Sequence, residues 1–539
     1  MVDWCNSSRV SSMMVGSGRV LVLCAAVAVC LVQHLQPATA ERKPCIAKDF
    51  QHGGFVCVCN ATYCDTMEPN TKLPKGQAAM YVSTPSGKRF EKIVLNFTAK
   101  SNDSGDYDVW TVMKNITYQK IKGFGGAFTD AATMNILSLS EGAQKNLISA
   151  YFSPTEGIEY TLGRVPMGGC DFSTREYTYD DTPDDLELTK FALAEEDMKY
   201  KIPVIKSAMQ MSERKINLFG SPWTAPAWMK TNNNDTGKGT LKGKAGDPYH
   251  KAWANYFVKF LDEYKKQGVD FWGLTAQNEP TDGEITHFPF QSMGWTAESQ
   301  RDWISSDLGP ALDKAGYGNI SLMILDDSRL WLPGWATSVL NNGTMAAKYV
   351  DGIAVHWYLD QFVPANVLSF THDDLPDYFV LSTEACQGFF PWEEKVLLGN
   401  WNRAVEYSTD IHQNLKHWVV GWTDWNLALN MTGGPNWANN EVDAAIIVDS
   451  KKDEFYKQPM YYIMGHFSKF LPEGSVRVEV KGPYEDDEDR WMMAFSLPDG
   501  SMVAIMYGEF YDVHLHDPDV GFINFRQFEE GITTVQWWP

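Results

Sequence analysis

Eight short apolar runs separated by helical stretches occupy the middle of the sequence, and this alternation constrains the fold more than any other feature. The runs end near Gly125, Pro166, Trp223, Glu279, Asp327, Tyr358, Glu384 and Trp425. One helical stretch stops before Gly268 and places an apolar residue at every third or fourth position, namely Trp253, Tyr256, Phe257, Phe260, Leu261 and Tyr264. Strand and helix in alternation indicate parallel α/β units, and eight of them predict a (β/α)8 TIM barrel.

Two of the apolar runs end in a glutamate. Glu279 lies in the segment 276–280 (AQNEP), and Glu384 lies in 381–386 (LSTEAC). In a (β/α)8 barrel the functional residues collect at the carboxyl ends of the strands, so these two side chains are expected to face a ligand. Paired carboxylates in such a place indicate glycoside hydrolysis. A surface salt bridge is the alternative for either residue, but a carboxylate that closes an apolar strand is rarely left in water.

Strand-like alternation appears at both ends of the chain, outside the predicted barrel. Residues 78–119 alternate apolar and polar side chains between turns, and the stretch 475–539 does the same. We therefore expect residues 73–119 and 473–539 to form a β-sandwich. Residues 41–72 with 427–459 are expected to form a small disulfide-containing β domain, and residues 120–426 with 460–472 the catalytic barrel.

The N-terminus has the pattern of a secretory signal. Arg9 and Arg19 precede the apolar run 20–32, and the small residues of 37–40 (PATA) follow it. Cleavage after Ala40 is expected, because a membrane anchor needs about 18 or more apolar residues. The predicted compartment permits N-glycosylation and disulfides. Eight asparagines stand in the acceptor pattern: Asn60, Asn96, Asn102, Asn115, Asn234, Asn319, Asn342 and Asn430.

Six cysteines lie after the predicted signal. Four of them cluster, and they are Cys45, Cys57, Cys59 and Cys64. Their spacing predicts two disulfides with three possible pairings. A zinc site is the alternative, but only one residue separates Cys57 from Cys59, and an oxidising compartment favours bridging. Cys170 and Cys386 are expected to be free thiols.

The formal net charge of −22 argues against nucleic acid as a partner, because its phosphates would repel the protein. The repulsion weakens as carboxylates gain protons, which suits an acidic compartment. No phosphate loop or zinc-protease helix is present, and the glycines at 123–126 do not complete a dinucleotide fingerprint. His514 and His516 are expected on a solvent-exposed strand face rather than around a metal, so neither metal nor cofactor is predicted.

Longer strings of the sequence resemble a known family. They are KGFGGAFTDAA, RVPMGGCDFS, SPWTAPAWMKTN, NEP, HWYLD, STEAC, GWTDWNLALN and FYKQPMYY. Together they are similar to glycoside hydrolase family 30, in particular to its acid β-glucosidases. The similarity begins at Cys45, is dense across the predicted barrel and weakens over the last part of the chain. It implies a retaining mechanism in which Glu384 is the nucleophile and Glu279 the acid/base.

The resemblance also implies roles for neighbouring residues. Asn278 is expected to bind the sugar 2-hydroxyl, and Tyr358 to donate a hydrogen bond to Glu384. Further substrate-binding residues would be Asp171, Trp223, Trp425 and Asn440. Arg164 and His356 would support the carboxylates, although each could equally be a paired polar residue of the core. The chain departs from the family pattern at Gln277, where a glutamate is usual, and at Met293, where some members have cysteine.

The implied activity is hydrolysis of glucosylceramide to glucose and ceramide in the lysosomal lumen, or after secretion. The implied partners are a saposin-type activator protein and acidic lipids, with peripheral membrane contact only. Two alternatives stay open at this point. One is a family 30 hydrolase of another β-linked glycan, such as a xylan or a β-glucan. The other is a non-catalytic, carbohydrate-binding lumenal protein.

Overall fold

The computed structural model describes residues 42–99, 108–341, 343–483 and 490–539. The predicted signal peptide, 1–40, and the acceptors Asn102 and Asn342 lie outside the described residues. The 22 strands there are β1 Ala47–Asp49, β2 Phe55–Asn60, β3 Gln77–Ser83, β4 Glu91–Asn96, β5 Asp108–Lys120, β6 Gly123–Ala127, β7 Leu162–Pro166, β8 Asn217–Ser221, β9 Gly273–Thr275, β10 Ser321–Ser328, β11 Gly352–His356, β12 Phe379–Glu384, β13 Val419–Asn426, β14 Leu429–Asn430, β15 Ile446–Asp449, β16 Glu454–Lys457, β17 Val476–Lys481, β18 Trp491–Ser496, β19 Met502–Tyr507, β20 Phe510–Asp517, β21 Gly521–Gln527 and β22 Ile532–Trp537. The α-helices are α1 Asp130–Leu137, α2 Glu141–Phe152, α3 Ile202–Met211, α4 Pro248–Lys266, α5 Ala297–Trp303, α6 Gly309–Lys314, α7 Gly334–Leu340, α8 Asn366–Asp374, α9 Trp401–Lys416 and α10 Pro459–Ser468. Within these ranges no helix has both the length and the apolar character needed to cross a bilayer.

Strands β6 to β13 form a closed parallel barrel. The circle closes between β13 and β6, where Gly421 pairs with Gly123. Strands β7 and β12 end at Pro166 and Glu384, as the sequence predicts. Strand β9 ends earlier, at Thr275, so Glu279 lies in the loop that follows. The predicted (β/α)8 barrel is confirmed.

A layer of apolar side chains fills the inside of the barrel. It consists of Leu162, Phe219, Met323, Ala354, Leu381 and Val420, and all six are buried. Because side chains on a strand alternate between its two faces, residues two positions further along also point inward. Those residues include Arg164 on β7, Ser221 on β8, His356 on β11 and Thr383 on β12. The apolar layer thus forms a floor, and polar groups stand above it at the carboxyl ends of the strands.

A five-stranded sheet with the order β1-β2-β16-β15-β14 joins an early segment of the chain to the segment after the barrel. Disulfides link Cys45 to Cys57 and Cys59 to Cys64, which selects one of the three pairings that the spacing allows. The zinc alternative is excluded, because all four sulfurs are used in disulfides. Cys170 and Cys386 are free and buried.

A nine-stranded sheet with the order β21-β20-β5-β17-β18-β19-β22-β3-β4 combines residues from both ends of the chain. It folds over on itself, since Trp537 on β22 donates a hydrogen bond to Asp517 on β20 across 2.7 Å. The two halves enclose their own apolar core, which confirms the additional β domain. The predicted exposure of His514 is wrong, because that ring is buried and bonds Asn524. The residue limits of the three parts stay predictions.

Candidate active site

Glu384 is the last residue of β12, and both of its carboxylate oxygens accept hydrogen bonds. Arg164 donates a hydrogen bond to Oε2, and the Tyr358 hydroxyl donates to Oε1. Burial raises the pKa of Glu384 above its ordinary value, while the charges of Arg164 and His356 and the Tyr358 hydrogen bond limit that rise. The carboxylate is therefore fixed in orientation and stabilised in its charged form by two donors.

Glu279 lies in the loop after β9, and its backbone adopts the left-handed region with φ of 38°. Such a conformation is strained for a residue other than glycine and is often kept at functional sites. The Glu279 N–H donates to the Asp326 carbonyl across 2.9 Å, which anchors the loop to β10. Its side chain is 18% exposed, whereas that of Glu384 is 6% exposed. Glu279 thus stands on the solvent side of the pair.

The two carboxyl groups are close together. One oxygen of Glu279, one oxygen of Glu384 and a ring nitrogen of His356 all lie within 4.8 Å of one another. Retaining glycosidases hold their two carboxyl groups about 5 Å apart, so that one can attack the sugar while the other serves the leaving group. The separation here fits that geometry and leaves no room for the extra water of an inverting enzyme.

His356 bridges the acid/base candidate and a buried aspartate. Its Nδ1 lies 3.1 Å from Oε1 of Glu279, and its Nε2 lies 3.0 Å from Oδ1 of Asp326. Burial disfavours the charged ring, but the charges of Glu384 and Asp326 raise the pKa of His356 to about 10. Because each ring nitrogen faces a carboxylate oxygen, His356 links Glu279 to Asp326 in one hydrogen-bonded network. Burial alone would raise the pKa of Glu279, but the hydrogen bond and charge of His356 act against it together with the charge of Arg164, and the pKa of that carboxyl is lowered.

Asp326 is the fully buried centre of this network, and the sequence analysis missed it. It accepts hydrogen bonds from Arg164 at 2.8 Å and His356 at 3.0 Å. Thr275 at 2.6 Å and Thr383 at 2.7 Å donate to it as well. Although burial opposes ionisation, Arg164 and His356 hold the pKa of Asp326 well below its ordinary value. The sequence does contain a signal, because two adjacent acids, Asp326 and Asp327, follow the apolar part of β10. The sequence analysis named only Asp327 as the end of that run.

Two indole rings form one wall of the site. Trp223 and Trp425 stack with their centroids 5.3 Å apart, and the Arg164 guanidinium lies 5.0 Å from one ring and 5.1 Å from the other. Arg164 Nη2 also donates to Oδ1 of Asn278 across 2.8 Å. Because this contact occupies the amide oxygen, the Asn278 amide nitrogen is left to donate to a ligand.

Asp171 lies in the loop after β7 and is held by two asparagine amides. Asn440 donates to Oδ2 across 3.0 Å and Asn436 across 3.1 Å. Burial raises the pKa of Asp171 to about 7, against the effect of these hydrogen bonds. Asn440 therefore positions Asp171, and its own contact with a sugar stays a prediction. Asn436 was not found from the sequence, since nothing there marks an asparagine in a loop as a partner of Asp171.

Gln277 and Met293, the two departures from the family pattern, both lie outside the ligand-facing surface. The Gln277 amide donates to the carbonyls of Pro222 at 3.1 Å, Trp223 at 2.8 Å and Asn278 at 3.0 Å. It therefore fixes the loop beside Glu279 rather than facing a ligand. Met293 is fully buried and packs in the main core.

Comparison with known proteins identifies the family. Residues 121–471 match the family described as glycosyl hydrolase family 30 TIM-barrel domain. The lysosomal acid glucosylceramidase of Mus musculus is 51% identical over 499 residues, which cover 92% of this chain and 96% of the mouse protein. The chain belongs to glycoside hydrolase family 30.

Further relatives agree with this membership. Putative glucosylceramidase 4 of Caenorhabditis elegans is 44% identical over 87% of this chain and 89% of its own length. Among solved structures, SrfJ from Salmonella typhimurium superposes with a TM-score of 0.77 at 27% identity, over 86% of this chain and all of that one. In this family 30 glycoside hydrolase, Glu384 and Glu279 lie at the carboxyl-terminal end of the barrel, at the end of β12 and in the loop after β9.

Proposed function

We propose that this family 30 hydrolase is a retaining β-glucosidase that cleaves glucosylceramide into glucose and ceramide. Glu384 is the nucleophile and Glu279 the acid/base. The approach of the two carboxyl groups to within 4.8 Å supports a retaining course. The fixed orientation of the Glu384 carboxylate by Arg164 and Tyr358 supports its role as the attacking group.

The reaction proceeds in two steps on these side chains. First, Glu279 gives a proton to the glycosidic oxygen while an oxygen of Glu384 bonds to the anomeric carbon, and ceramide leaves. Then Glu279 takes a proton from water, which attacks the same carbon and releases glucose and the Glu384 carboxylate. The Asn278 amide donates to the sugar 2-hydroxyl, a contact that strengthens in the transition state. The Trp223 and Trp425 rings support the sugar ring from the side.

A path of aromatic rings from the site to the surface supports a lipid as the substrate. It starts at Tyr358, which bonds Glu384, and continues through Phe389 at 4.9 Å to Phe390, 4.2 Å further on. It ends at Trp392, 4.6 Å from Phe390 and 77% exposed. Phe362, 66% exposed, lies 6.5 Å from Phe390 and widens this end. A leaving group with long alkyl chains needs such apolar surface between the reacting carbon and a bilayer, whereas a soluble glycan does not.

The compartment proposed is the lumen of the lysosome, reached through the secretory pathway. The two disulfides support an oxidising route, where N-glycosylation also occurs. Burial raises the pKa of Asp171 to about 7 and that of Asp327 to about 6, so both retain protons in an acidic lumen. We further propose peripheral contact with the membrane, assisted by acidic lipids and a saposin-type activator protein. Acid reduces the negative charge that would otherwise repel anionic lipids.

The deciding experiment measures the release of reducing sugar at pH 5 from glucosylceramide in phosphatidylserine-containing vesicles, from a soluble β-glucan and from xylan. Faster turnover of the lipid, increased by an activator protein, is expected. Preference for either glycan would replace the proposed substrate. Failure of a mechanism-based cyclitol epoxide to label Glu384 would instead support a non-catalytic protein.

The role of the aromatic path has its own test. Trp392→Ser should lower turnover of vesicle-bound glucosylceramide at least about tenfold, with little change for a soluble aryl glucoside, because the chemistry lies elsewhere. Phe528→Ser is the matched control, since Phe528 is 67% exposed on the nine-stranded sheet domain. Equal effects of the two substitutions on the vesicle substrate would remove the support for a lipid.

A further inference from the structure

The Asp171 side chain belongs to a tight turn, 170–173, in the loop that follows β7. A loop residue binds a substrate well only when its backbone is fixed, because a displacement of about 1 Å can cost about 10²-fold in rate. We propose that Asp130, in the first turn of α1, is a positioning residue that fixes the 170–173 turn through the Ser173 hydroxyl, and that this support determines how well Asp171 binds the sugar. The proposal rests on the proposed function, with Asp171 as a substrate-binding residue.

Two hydrogen bonds close the 170–173 turn. The Ser173 N–H donates to the Cys170 carbonyl across 3.2 Å, and the Cys170 N–H donates to the Ser173 hydroxyl oxygen across 3.1 Å. Asp171 lies between these two residues, so the contacts that shape the turn also direct its carboxylate. The Ser173 hydroxyl accepts one of these bonds and still has its own proton to donate.

Asp130 accepts that second hydrogen bond. Ser173 Oγ donates to Oδ2 of Asp130 across 2.7 Å, and the Tyr177 hydroxyl donates to the same oxygen across 2.9 Å. All three side chains are buried. The backbone is joined as well, since the Ala131 N–H donates to the Phe172 carbonyl across 2.9 Å. The first turn of α1 therefore holds the 170–173 turn by one side-chain and one backbone hydrogen bond.

A buried ion pair orients Asp130 from its other side. Lys201 Nζ lies 3.3 Å from Oδ1 of Asp130 and 2.8 Å from Oδ1 of Asp197, and all three side chains are buried. Burial disfavours the charge of Lys201, but the two carboxylates raise its pKa and keep it charged. Burial raises the pKa of Asp130, while Lys201 and the two hydroxyls at Oδ2 act against that rise. Because a buried ion pair adds little net stability, its effect here is to direct the Asp130 carboxylate towards the turn.

The Asp171 carboxylate keeps one oxygen for a ligand. Asn436 and Asn440, the amides that hold it, both donate to Oδ2. None of the residues that the structure describes donates to Oδ1, so this oxygen can accept a hydrogen bond from a sugar hydroxyl. The Trp437 Nε1–H donates to the Cys170 carbonyl across 2.8 Å and joins the same loop to the turn. The direction of Oδ1 thus depends on the 436–440 loop on one side and on Asp130 on the other.

The test measures kcat/KM of an activated aryl β-glucoside and of its monodeoxy analogues, each of which lacks one sugar hydroxyl. Asp171→Ala identifies the hydroxyl that Asp171 binds, because its loss should nearly disappear on the analogue without that group. We expect Ser173→Ala to lower kcat/KM at least about tenfold on the glucoside and less than about twofold on the same analogue. A merely structural role would lower kcat/KM by the same factor on every sugar.

Ser468→Ala is the matched control. Ser468 is also buried, and its hydroxyl donates to the Ile158 carbonyl across 2.6 Å. Since Ile158 precedes β7, this contact lies at the amino end of the barrel strands, away from the site. The control should lower the melting temperature, as Ser173→Ala does, but leave kcat/KM on every sugar within about twofold of the wild type.

Three results would overturn the proposal: no loss in Ser173→Ala, the same loss in Ser173→Ala on every analogue, or the same loss in Asp171→Ala on every analogue. Tyr177→Phe removes the other hydroxyl from Oδ2 of Asp130 and gives the same readout if Ser173→Ala does not fold. Failure of the proposed function is distinguishable, since it would appear as absent β-glucosidase activity and absent epoxide labelling in the wild type itself.

Discussion

His356 donates a hydrogen bond from Nε2 to Oδ1 of Asp326 across 3.0 Å. Arg164 occupies the other oxygen of the same carboxylate at 2.8 Å. Each of these cations also contacts one catalytic candidate, Arg164 bonding Glu384 and His356 bonding Glu279. The buried Asp326 carboxylate therefore positions Arg164 and His356, the two cations that contact Glu384 and Glu279.

Replacing Asp326 should damage stability and activity together. Asp326→Asn removes the anion that Arg164 and His356 share, and breaking a buried ion pair costs about 3–5 kcal/mol. We expect the free energy of unfolding to fall by about 3 kcal/mol in urea titrations, and kcat/KM to fall at least about 100-fold. Asp512→Asn, at an exposed ion pair with Arg526, should cost less than about 1 kcal/mol. Similar losses in both variants would contradict the central role of Asp326.

Removing the nucleophile should abolish turnover while leaving a space that a small anion can fill. Glu384→Ala is expected to lose activity on an activated β-glucoside, and added azide should restore part of it by attacking the anomeric carbon. The product would be a glycosyl azide of inverted configuration, which nuclear magnetic resonance identifies. Full activity without azide would refute the assignment of Glu384.

Removing the acid should affect substrates according to their leaving groups. Glu279→Ala is expected to lose about 10²–10⁴-fold in kcat/KM on an alkyl glucoside, whose leaving oxygen needs protonation. An aryl glucoside with a good leaving group should lose much less in its first step. Equal losses on both substrates would argue that Glu279 has a different task.

The barrel could be predicted because its strands carry a repeated signal. Apolar runs, helical periodicity and polar residues at strand ends all recur along the chain, and the fold satisfies them together. Glu279 and Glu384 stood out for the same reason, since each follows an apolar run. The choice among three disulfide pairings, in contrast, depended on which sulfurs the five-stranded sheet brings together.

The sequence could not show that the Asp326 side chain points into the barrel. Strict alternation along β10 fails because Leu325 and Asp326 both have positive φ, 68° and 60°, and the pairing register with β11 shifts there. A sequence shows two adjacent acids but does not show which one turns towards Arg164.

The Tyr358 hydroxyl should set the acid side of the pH profile. Its hydrogen bond favours the charged form of Glu384, so Tyr358→Phe is expected to raise the pKa of that carboxyl further. Because the nucleophile acts only when ionised, activity should then be lost at a higher pH as the solution is acidified. Profiles of kcat/KM below pH 6 measure this shift. Tyr317→Phe, which removes a surface hydrogen bond to Asp262, should leave the profile in place, and a common profile for both would contradict the prediction.

Gln277→Glu should make stability depend on pH. The Gln277 amide nitrogen faces three backbone carbonyl oxygens, which can accept hydrogen bonds but cannot stabilise a carboxylate. A glutamate there must keep its proton in the folded protein, so its folded pKa would exceed the unfolded value of about 4.3. Between these two pKa values the folded state binds more protons, and the free energy of unfolding falls as pH rises, by up to about 1.4 kcal/mol per pH unit.

Thermal melting at pH 4 and at pH 7 measures this dependence. We expect Gln277→Glu to melt close to the wild type at pH 4 and clearly below it at pH 7, because the buried proton is then held at increasing cost. Gln361→Glu, at an exposed position, should follow the wild type at both pH values. The same loss of melting temperature at pH 4 and pH 7 would mean that the new carboxyl group reaches solvent, and that Gln277 does not hold the loop of Glu279 in the way its three hydrogen bonds indicate.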